Sequence, residues 1–258
     1  MLDLGLRGKV AIVTGGSDGL GRATAERLAI EGCKVVICGR RKQHTIDAAN
    51  EIQSATGNSD VLGLPSDVSK ATDIDALVCS TVEHFGGVDI LVNNAGKSAA
   101  SGLEEVDDSD WQSDIDLKLM AAVRTCRAVI PLMRDRGGGA IVNATIGGGK
   151  APPAKVLPTT VTRAAGINLT KALANEYACA GIRVNTVCIG LIKSEQWVRK
   201  AGVDDVDDFY IELAKTIPLG RVGEAREYAD LVSFLVSERA AYITGTSVNI
   251  DGGICAVT

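Results

Sequence analysis

A glycine-rich segment near the start of the chain has the residue types and spacing of a phosphate-binding loop. TGGSDGLGRA (14–23) follows an apolar run and opens an amphipathic one, which predicts a strand, a tight turn and a helix. Gly15, Gly19 and Gly21 allow the turn and let the backbone approach a pyrophosphate, while the helix N-terminus supplies amide donors and a favourable dipole. The segment therefore predicts a nucleotide site, although Gly-x-x-x-Gly-x-Gly alone also suits an ordinary strand-to-helix turn.

Two arginines follow the second apolar run, where they would face the adenosine half of a dinucleotide. An NAD site carries an acid there, roughly 20 residues beyond the last loop glycine, that binds the ribose hydroxyls. This chain has Gly39, then Arg40 and Arg41. Guanidinium groups without a carboxylate favour a 2′-phosphate, so we predict NADP(H) in preference to NAD(H). An ordinary surface charge is the alternative for Arg40.

Apolar, β-branched runs that alternate with amphipathic stretches must position these groups. Near-continuous apolar strands between helical patterns indicate βαβ units, with a parallel sheet covered on both faces. We predict an α/β protein, a single-domain doubly wound Rossmann fold over residues 1–258, with a parallel sheet of about seven strands flanked by helices. The predicted strands are KVAIVT (9–14), KVVIC (34–38), DILVN (89–93), GAIVNAT (139–145), IRVNTVC (182–188) and TSVNID (246–251).

The composition excludes several classes of function. A net charge of −5 and a pI near 5.2 provide no positive field for phosphate polymers or anionic lipid, so we expect no nucleic-acid partner. No run of about eighteen apolar residues and no charged-then-apolar leader occurs, so we expect no membrane span and a cytoplasmic location. His44 and His84 lie in polar helical surroundings, which predicts neither a metal site nor a His-based triad. The seven cysteines are odd in number and lack C-x-x-C spacing, which predicts small buried thiols.

Motifs spread over nearly the whole chain resemble those of the short-chain dehydrogenase/reductase family. SDV (66–68), NNAG (93–96), IRVNTV (182–187) and YITGTSVNIDGG (242–253) stand at family spacing after the glycine loop. The chain is similar in particular to 3-oxoacyl-acyl-carrier-protein reductase-like members. The resemblance implies a Rossmann fold, a nicotinamide dinucleotide and a small carbonyl or secondary alcohol substrate.

The same resemblance implies which residues contact the dinucleotide. Asp67 and Val68 would contact the adenine, and the NNAG motif would lie beside the nicotinamide ribose. Ser194 stands where the family has a Thr that contacts the cofactor amide. Asp18 stands where related NADP enzymes often carry a basic residue, which argues against NADP(H). The implied contact residues are Gly15, Ser17, Gly19, Leu20, Gly21, Arg40, Arg41, Asp67, Val68, Asn93, Ala95, Gly96, Arg163, Gly190, Ile192 and Ser194.

The catalytic Tyr and Lys of the family are replaced in this chain. In the family the Tyr donates a proton to the carbonyl, and a Lys four residues later holds the ribose and lowers the Tyr pKa. Aligning on RAAGINLTKALANE (163–176) places Arg163 at the Lys position and Thr159 at the Tyr position. A Thr hydroxyl is a far weaker acid than a phenol, and an arginine, whose pKa exceeds about 12, stays charged. The ordinary proton donor of the family is therefore absent.

The family's Ser, which orients the carbonyl, and its Asn, which supports a water relay, are replaced as well. Ile146 stands at the Ser position, directly after Thr145. Lys118 stands at the Asn position, unless a small shift places Asp116 there. All of the family's usual catalytic side chains are thus changed.

A substitute mechanism is available from the residues that remain. Lys118 would donate the proton if burial beside Arg163 depressed its pKa. Thr145 or Thr159 would then orient the carbonyl. A solvated helix lysine is the alternative interpretation of Lys118.

The irregular segment 193–218 is predicted to be a lid over the substrate pocket. Tyr210 within it would replace the missing phenol or, as the favoured interpretation, would pack the lid.

These observations leave three classes of function open. The intact glycine loop favours an NADP(H)-dependent reductase or dehydrogenase that acts on a carbonyl or secondary alcohol with a non-standard acid. The loss of the phenol also suits a catalytically inactive subunit, which would form a heteromer with an active paralogue of the family. Chemistry without net redox, such as hydration or retro-aldol cleavage, is the third. The resemblance also implies a homotetramer assembled through two long helices, about 111–135 and 159–180, and through the C-terminal strand.

Overall fold

Parallel pairing of the apolar runs builds one seven-stranded sheet, and a separate antiparallel ribbon of two short strands lies outside it. The computed structural model describes residues 3–194 and 206–257. The strands are β1 Val10–Thr14, β2 Lys34–Gly39, β3 Val61–Pro65, β4 Ile90–Asn93, β5 Ala100–Ser101, β6 Gly139–Ile146, β7 Leu157–Pro158, β8 Ile182–Ile189 and β9 Ser247–Ile250. The sheet order is β3-β2-β1-β4-β6-β8-β9, and β5 pairs with β7 in the ribbon. The predicted doubly wound Rossmann fold is therefore confirmed.

Helices cover both faces of this sheet. Because successive side chains of a strand point to opposite faces, Ala11 and Val13 of β1 enter one apolar core and Ile12 enters the other. Helices α1, α2 and α8 close the first core, and α3, α5 and α6 close the second. The helices are α1 Gly19–Ile30, α2 Lys42–Thr56, α3 Ala71–Phe85, α4 Asp108–Asp114, α5 Ala121–Asp135, α6 Thr159–Tyr177, α7 Val206–Ala214 and α8 Ala225–Val236.

The edge strand β3 has no counterpart among the predicted runs. Its sequence VLGLP contains a glycine and a proline, and only Val61 within it is buried. Gly63 brings the strand against α2, since a Cβ there would lie 2.4 Å from the Thr45 carbonyl oxygen. Packing against a helix, rather than a long apolar pattern, therefore defines this strand.

A π-helical segment, Ile115–Met120, joins α4 and α5 into one continuous helix. The helix starts with a capping box, in which the Asp107 carboxylate accepts a hydrogen bond of 2.9 Å from the Asp110 amide. Widened turns of this kind accommodate an extra residue and are frequent at functional sites. Here the widened turn carries Lys118, which is buried.

The predicted lid falls partly outside the described residues, because 195–205 are not among them. Beyond that gap, Tyr210 of α7 packs with Ile217 and Val222. The Tyr210 hydroxyl donates to the Ser194 carbonyl at 3.2 Å and accepts from the Ser194 amide at 3.1 Å. Tyr210 is thus a packing residue in this structure.

The cysteines are free thiols, but the prediction that all are buried is wrong. Cys79 and Cys179 are exposed, because they lie on the solvent sides of helical segments, and Cys255 is half-buried. Within residues 3–194 and 206–257, no helix combines the length and apolar content needed to cross a membrane.

Candidate active site

The glycine loop has the geometry that its spacing predicts. Gly15 and Gly19 adopt positive φ angles of 64° and 51°, which favour glycine. A Cβ at Gly21 would lie 2.1 Å from the Gly15 carbonyl oxygen, so the first turn of α1 packs directly on the loop. A Cβ at Gly19 would meet nothing within 4 Å. The loop therefore leaves open space beside the N-terminus of α1, where a phosphate would receive backbone amides.

Side chains of the NNAG motif connect this loop to β4. Asn94 donates to the carbonyl oxygens of Thr14 at 3.1 Å and Gly15 at 3.3 Å, and the Thr14 hydroxyl accepts the amides of Asn94 and Ala95. Sequence reasoning did not single out Asn94, whose role depends on contacts between strands. These hydrogen bonds fix the glycine loop relative to the carboxyl end of β4.

Asn93, the first residue of the NNAG motif, takes part in a network of buried polar side chains. Its side-chain amide donates to Asn143 at 2.9 Å and accepts from the Thr125 hydroxyl at 2.7 Å. The Asn143 amide donates in turn to Thr170 at 2.9 Å. The side chain of Asn93 is therefore engaged in a buried network between β4, β6, α5 and α6, and Asn93 lines the same pocket as Lys118 and Arg163.

At the adenosine end of the crevice, Asp18 joins the glycine loop to α2. Its carboxylate accepts from Arg41 Nη2 at 2.7 Å and from Ser17 Oγ at 3.2 Å, and it lies 2.8 Å from His44 Nε2. Partial burial raises the pKa of Asp18, but His44 and Arg41 outweigh it and hold the pKa below its usual range. His44 is thus paired with an acid rather than simply solvated.

Arg40 and Asp67 lie near each other at the ends of β2 and β3. Partial burial raises the pKa of Asp67, yet hydrogen bonds from Ser69 and the charge of Arg40 lower it overall. Val68 is buried in the core beside it. The predicted adenine-side residues therefore meet at one corner.

A cluster of buried, hydrogen-bonded side chains joins the helix that contains the π-helical segment to the first turn of α6. Lys118 Nζ donates to Asp114 Oδ1 and, at 2.7 Å, to the Thr159 hydroxyl. The second oxygen of Asp114 accepts from the Thr162 hydroxyl at 2.6 Å, and the Thr159 hydroxyl accepts the Ala99 amide at 3.1 Å. The side chains of Lys118 and Asp114 are each 1% exposed, so Lys118 is not a solvated helix lysine.

The environment of Lys118 depresses its pKa to about 8. Burial has the largest effect, because it penalises the charged ammonium, and the positive charges of Arg163 and Lys97 act in the same direction. The hydrogen bond and charge of Asp114 oppose this change. Near neutral pH, Lys118 can therefore both hold and release a proton.

Arg163 projects from α6 toward the loop after β4. Its Nη1 donates to the Ala144 carbonyl at 2.5 Å, and its Nη2 lies against Gly96, where a Cβ would come within 2.5 Å of it. Burial lowers the pKa of Arg163. Its Nε is buried without a hydrogen-bond partner among the described residues.

The remaining predicted catalytic residues are not part of the cluster around Lys118. The Thr145 hydroxyl lies 3.2 Å from Cys188 Sγ, and none of its described contacts reaches Lys118 or Thr159. Asp116, the alternative for the Asn position, accepts from Gln112 and Arg124 on the outer side of the helix. Lys118 therefore occupies the pocket and Asp116 does not.

The predicted contact residues Gly190 and Ile192 come directly after strand β8 and pack against neighbouring segments. Gly190 is in close contact with Asp251, because a Cβ at Gly190 would lie 2.5 Å from the Asp251 Cα atom. Ile192 is buried and forms an isolated parallel bridge with Gly223. Leu20 packs against the core on the loop side.

Asp114 and Thr162 are functional candidates that sequence reasoning missed. The spacing of Asp114 and Lys118, four residues apart on one helix, indicates an ion pair but not that the pair is buried. Thr162 belongs to no motif, because the resemblance assigns a role only to its neighbour Arg163. Only the packing of α6 against the helix that carries Asp114 brings Asp114 and Thr162 together.

Comparisons with known proteins agree with this geometry. The sequence model of a family described as Enoyl-(Acyl carrier protein) reductase matches residues 15–255. Dehydrogenase/reductase SDR family member 4 of Homo sapiens is 38% identical over 253 residues, which cover 96% of this chain and 88% of that protein.

Two solved structures resemble the chain over nearly its whole length. L-sorbose reductase from Gluconobacter frateurii, complexed with NADPH and L-sorbose, has a TM-score of 0.95 and 36% identity, with 100% of both chains covered. A short-chain oxidoreductase from Pseudomonas aeruginosa PAO1, described as containing an atypical catalytic center and solved with NADPH, has a TM-score of 0.93 and 33% identity, with 97% and 98% covered. From its fold, its glycine loop and these relatives, the chain belongs to the short-chain dehydrogenase/reductase family.

Proposed function

We propose that this protein is an NADP(H)-dependent oxidoreductase that interconverts a small carbonyl compound and its secondary alcohol, with Lys118 and Thr159 as the proton-transferring pair. One observation carries the proposal: the Thr159 hydroxyl accepts two hydrogen bonds, from Lys118 Nζ and the Ala99 amide, at 2.7 and 3.1 Å. A hydroxyl has two lone pairs and one hydrogen. Both lone pairs are therefore occupied, and the hydrogen is available to a substrate oxygen.

The proton transfer follows from this arrangement. In the reductive direction the Thr159 O–H bond breaks as its proton moves to the substrate oxygen. An N–H bond of Lys118 breaks as that proton moves to the Thr159 oxygen, which leaves Lys118 as a neutral amine and Thr159 again a hydroxyl. The nicotinamide, when bound, supplies hydride to the carbonyl carbon and accepts it in the opposite direction. A general acid works best with a pKa near the working pH, which the environment of Lys118 provides.

Asp114 and Thr162 hold this pair in place. Asp114 receives Lys118 on one oxygen and Thr162 on the other, so the ammonium is directed along a fixed line toward Thr159. The carboxylate also stabilises the protonated amine against the cost of burial. Without it, Lys118 would lose its proton at lower pH.

Several features fit a bound dinucleotide. The glycine loop offers open space beside Gly19. The buried Arg163 Nε has no hydrogen-bond partner among the described residues, and a ribose or phosphate oxygen would supply one. Arg40 and Arg41 at the end of β2 suit a 2′-phosphate. Relatives at 36% and 33% identity were solved with NADPH, and one of them with the ketose L-sorbose, which supports a phosphorylated dinucleotide and a small polar carbonyl substrate.

The alternative of an inactive subunit fits the buried cluster poorly. Apolar side chains of similar volume generally stabilise a core as well as or better than a buried ion pair. A protein with no chemistry to perform gains little from Asp114 and Lys118, whereas an enzyme needs a buried titratable group.

Two measurements test the proposal. Fluorescence titration with NADPH and NADH should give saturable binding, tighter for NADPH. Incubation with NADPH and a panel of ketoses, 2-oxo acids and simple ketones should then give oxidation of the coenzyme with at least one of them. Tight binding without turnover on any carbonyl, together with co-purification of a paralogue from the native source, would favour the inactive subunit.

We also propose that the chain is an oligomer, namely a homotetramer if it is an active enzyme; a heteromer with an active paralogue is the assembly that belongs to the inactive-subunit alternative. Large apolar side chains are exposed on the described surface, including Leu103, Leu219 and Tyr242. Light scattering of the purified chain should give a mass several times that of the monomer.

A further inference from the structure

Two cations at the candidate site lack a carboxylate partner among the described residues. Lys118 is balanced by Asp114, with which it forms a buried ion pair. Arg163 donates to the neutral Ala144 carbonyl, and its buried Nε has no hydrogen-bond partner in the described part of the chain. Lys97, between β4 and β5, is exposed and forms no ion pair with any residue that the structure describes. Arg163 and Lys97 therefore leave the site with an excess of positive charge, although the whole chain has a net charge of −5.

Lys97 lies on a segment that forms one wall of the candidate site. The preceding residue packs against Arg163, because a Cβ at Gly96 would lie 2.5 Å from Arg163 Nη2. Two residues after Lys97, the Ala99 amide donates to the Thr159 hydroxyl at 3.1 Å. Lys97 is thus placed in the chain between the residue that touches the arginine and the residue that touches the hydroxyl proposed to meet the carbonyl oxygen.

The charges of the two cations also reach Lys118. Burial has the largest effect in lowering the pKa of Lys118, and the charges of Arg163 and then Lys97 lower it further. Both cations therefore lie within electrostatic reach of the proposed proton donor. An anion bound between them would be close to the reacting carbonyl.

Carboxylates elsewhere near this wall are already engaged. Glu105 accepts from the Ser101 hydroxyl and the Gly102 amide. Asp116 accepts from Arg124 on the outer side of the helix. Among the described residues, these acids are therefore occupied by other partners and do not balance the two cations.

A bound dinucleotide would not balance the two cations either. Its diphosphate is accommodated by the glycine loop and the N-terminus of α1. The nicotinamide ribose is neutral, so a ribose hydroxyl would give Arg163 Nε a hydrogen bond without neutralising its charge. A buried cation without a counter-charge is costly. The remaining source of negative charge is the substrate.

We propose that the substrate is an oxo acid, with a carboxylate one or two carbons from the reacting carbonyl group, and that Lys97 binds this carboxylate. The inference rests on the proposed function, because it assumes that the Thr159 hydroxyl meets the carbonyl oxygen. The carboxylate lies between Lys97 and Arg163, and the product is the corresponding hydroxy acid. Lys97 is thus a specificity residue, which selects the anionic compound over an uncharged ketone of the same size.

Matched pairs of substrates test the charge requirement. Pyruvate and methyl pyruvate represent the 2-oxo acids, and acetoacetate and methyl acetoacetate represent the 3-oxo acids. Initial rates of NADPH oxidation by the whole chain give kcat/KM for each compound. An ester and its acid also differ in the reactivity of the ketone, so the decisive quantity is the change in the acid-to-ester ratio when Lys97 is replaced.

Three variants separate the charge of Lys97 from its packing. Lys97→Met keeps the apolar stem and should lower the acid-to-ester ratio about five- to tenfold for at least one pair, mainly through KM for the acid. Kinetics with the ester should not change. Lys97→Arg keeps the charge and should retain the wild-type ratio, as should Lys171→Met at an exposed position of α6. The pair with the larger change identifies a 2-oxo or a 3-oxo acid.

A binding measurement gives a readout that does not require turnover. Oxamate and malonamate are unreactive carboxylates that resemble the two oxo acids, and oxamide and malonamide are their neutral counterparts. Calorimetric titration into the chain saturated with NADPH should show binding of at least one carboxylate, weakened about five- to tenfold in Lys97→Met. The binding should also weaken as the ionic strength rises, because Lys97 is exposed.

The outcomes distinguish this inference from the proposed function. Reduction of ketoses or simple ketones, with an acid-to-ester ratio that is the same in the wild type and Lys97→Met, overturns the inference and leaves the proposed function intact. A ratio that falls equally in Lys97→Arg and Lys97→Met assigns the effect to packing and overturns the inference too. Binding of NADPH without turnover of any carbonyl compound overturns the proposed function and this inference with it.

Discussion

Lys118 Nζ lies 2.7 Å from the Thr159 hydroxyl, although the two residues are 41 positions apart and belong to different helices. The contact joins a titratable amine to the residue that stands at the family's tyrosine position. It is formed where the π-helical segment packs against the first turn of α6. In the proposed mechanism, this lysine and threonine together would supply a proton for the substrate oxygen and a second proton that replaces it, the role of the tyrosine elsewhere in the family.

Replacing Lys118 with Met should abolish most turnover while leaving nucleotide binding nearly unchanged. General acid catalysis contributes about 10²–10⁴-fold in rate, and Met keeps the apolar stem without the amine. The checks are kcat for carbonyl reduction and the NADPH affinity by titration. Lys171→Met, at an exposed position of α6, is the control and should behave as the wild type. Turnover in Lys118→Met at the wild-type rate would remove Lys118 from the mechanism.

The pH dependence should report Lys118. Reduction requires the ammonium, so kcat/KM for reduction should be flat below about pH 8 and fall tenfold per unit above it, because Lys118 has a pKa of about 8. Oxidation requires the neutral amine, so its kcat/KM should rise toward the same pH and then level off. Initial rates of reduction and of oxidation from about pH 6 to about pH 10 measure the fall in the first profile and the rise in the second. If the same fall and rise remain in Lys118→Met, another group is responsible for them.

Turnover should require the hydroxyl group of Thr159 but not its methyl group. Thr159→Val removes the hydroxyl at nearly constant volume, and we expect a loss of about 10²–10³ in kcat with NADPH binding retained. Thr159→Ser keeps the hydroxyl and should remain within about tenfold of the wild type, since the serine can still accept from Lys118 and Ala99. A valine variant as active as the serine variant would show that Lys118 protonates the substrate without Thr159.

Asp114→Asn should move the pH at which kcat/KM for reduction begins to fall to a lower value. Without the carboxylate, burial and the charges of Arg163 and Lys97 act unopposed on Lys118, so its pKa falls further. Breaking the buried pair should also cost about 3–5 kcal/mol of unfolding free energy, measured by urea denaturation. Because the folded-state pKa of Lys118 then lies below its unfolded value, stability should recover as the pH rises toward that unfolded value. Thr162→Val removes the hydrogen bonds that the Thr162 hydroxyl makes to Asp114 and to the Thr159 carbonyl but leaves the carboxylate in place, so it should show a smaller effect of the same sign.

Much of the fold could be predicted from the sequence, and the exception has a physical cause. Strands β1, β2, β4, β6 and β8 are almost wholly buried, and strands of this kind have continuous apolar runs, which is why they were recognised. The edge strand β9 is only half-buried, yet its run TSVNID was recognised as well. The edge strand β3 needs no such run, because only Val61 within it is buried and its neighbours pack on α2 or face solvent. An apolar pattern therefore predicts the centre of a parallel sheet better than its edge.

The candidate site likewise contains residues that the sequence predicted and side-chain contacts that it did not. Gly15, Lys118 and Arg163 were singled out from local spacing and from resemblance, and Lys118 and Arg163 line one pocket in the structure. Side-chain pairing was harder to foresee, because it depends on which surfaces meet. The hydrogen bond from the Asn93 side chain to Asn143 depends on the pairing of β4 with β6, and Asp114 belongs to no motif and meets Thr162 only where α6 packs against it.

Thr159 and Arg163 are carried by the first turn of α6, four residues apart. The rise between them is therefore about 6 Å along a rigid helix, and no loop movement can change it. The Thr159 oxygen, proposed to reach the substrate, and the Arg163 cation, proposed to lie beside the ribose, would therefore be displaced together or not at all. Accommodation of larger or smaller substrates must then come from the opposite wall of the crevice, so variants selected for new substrates should accumulate changes there and leave this turn untouched.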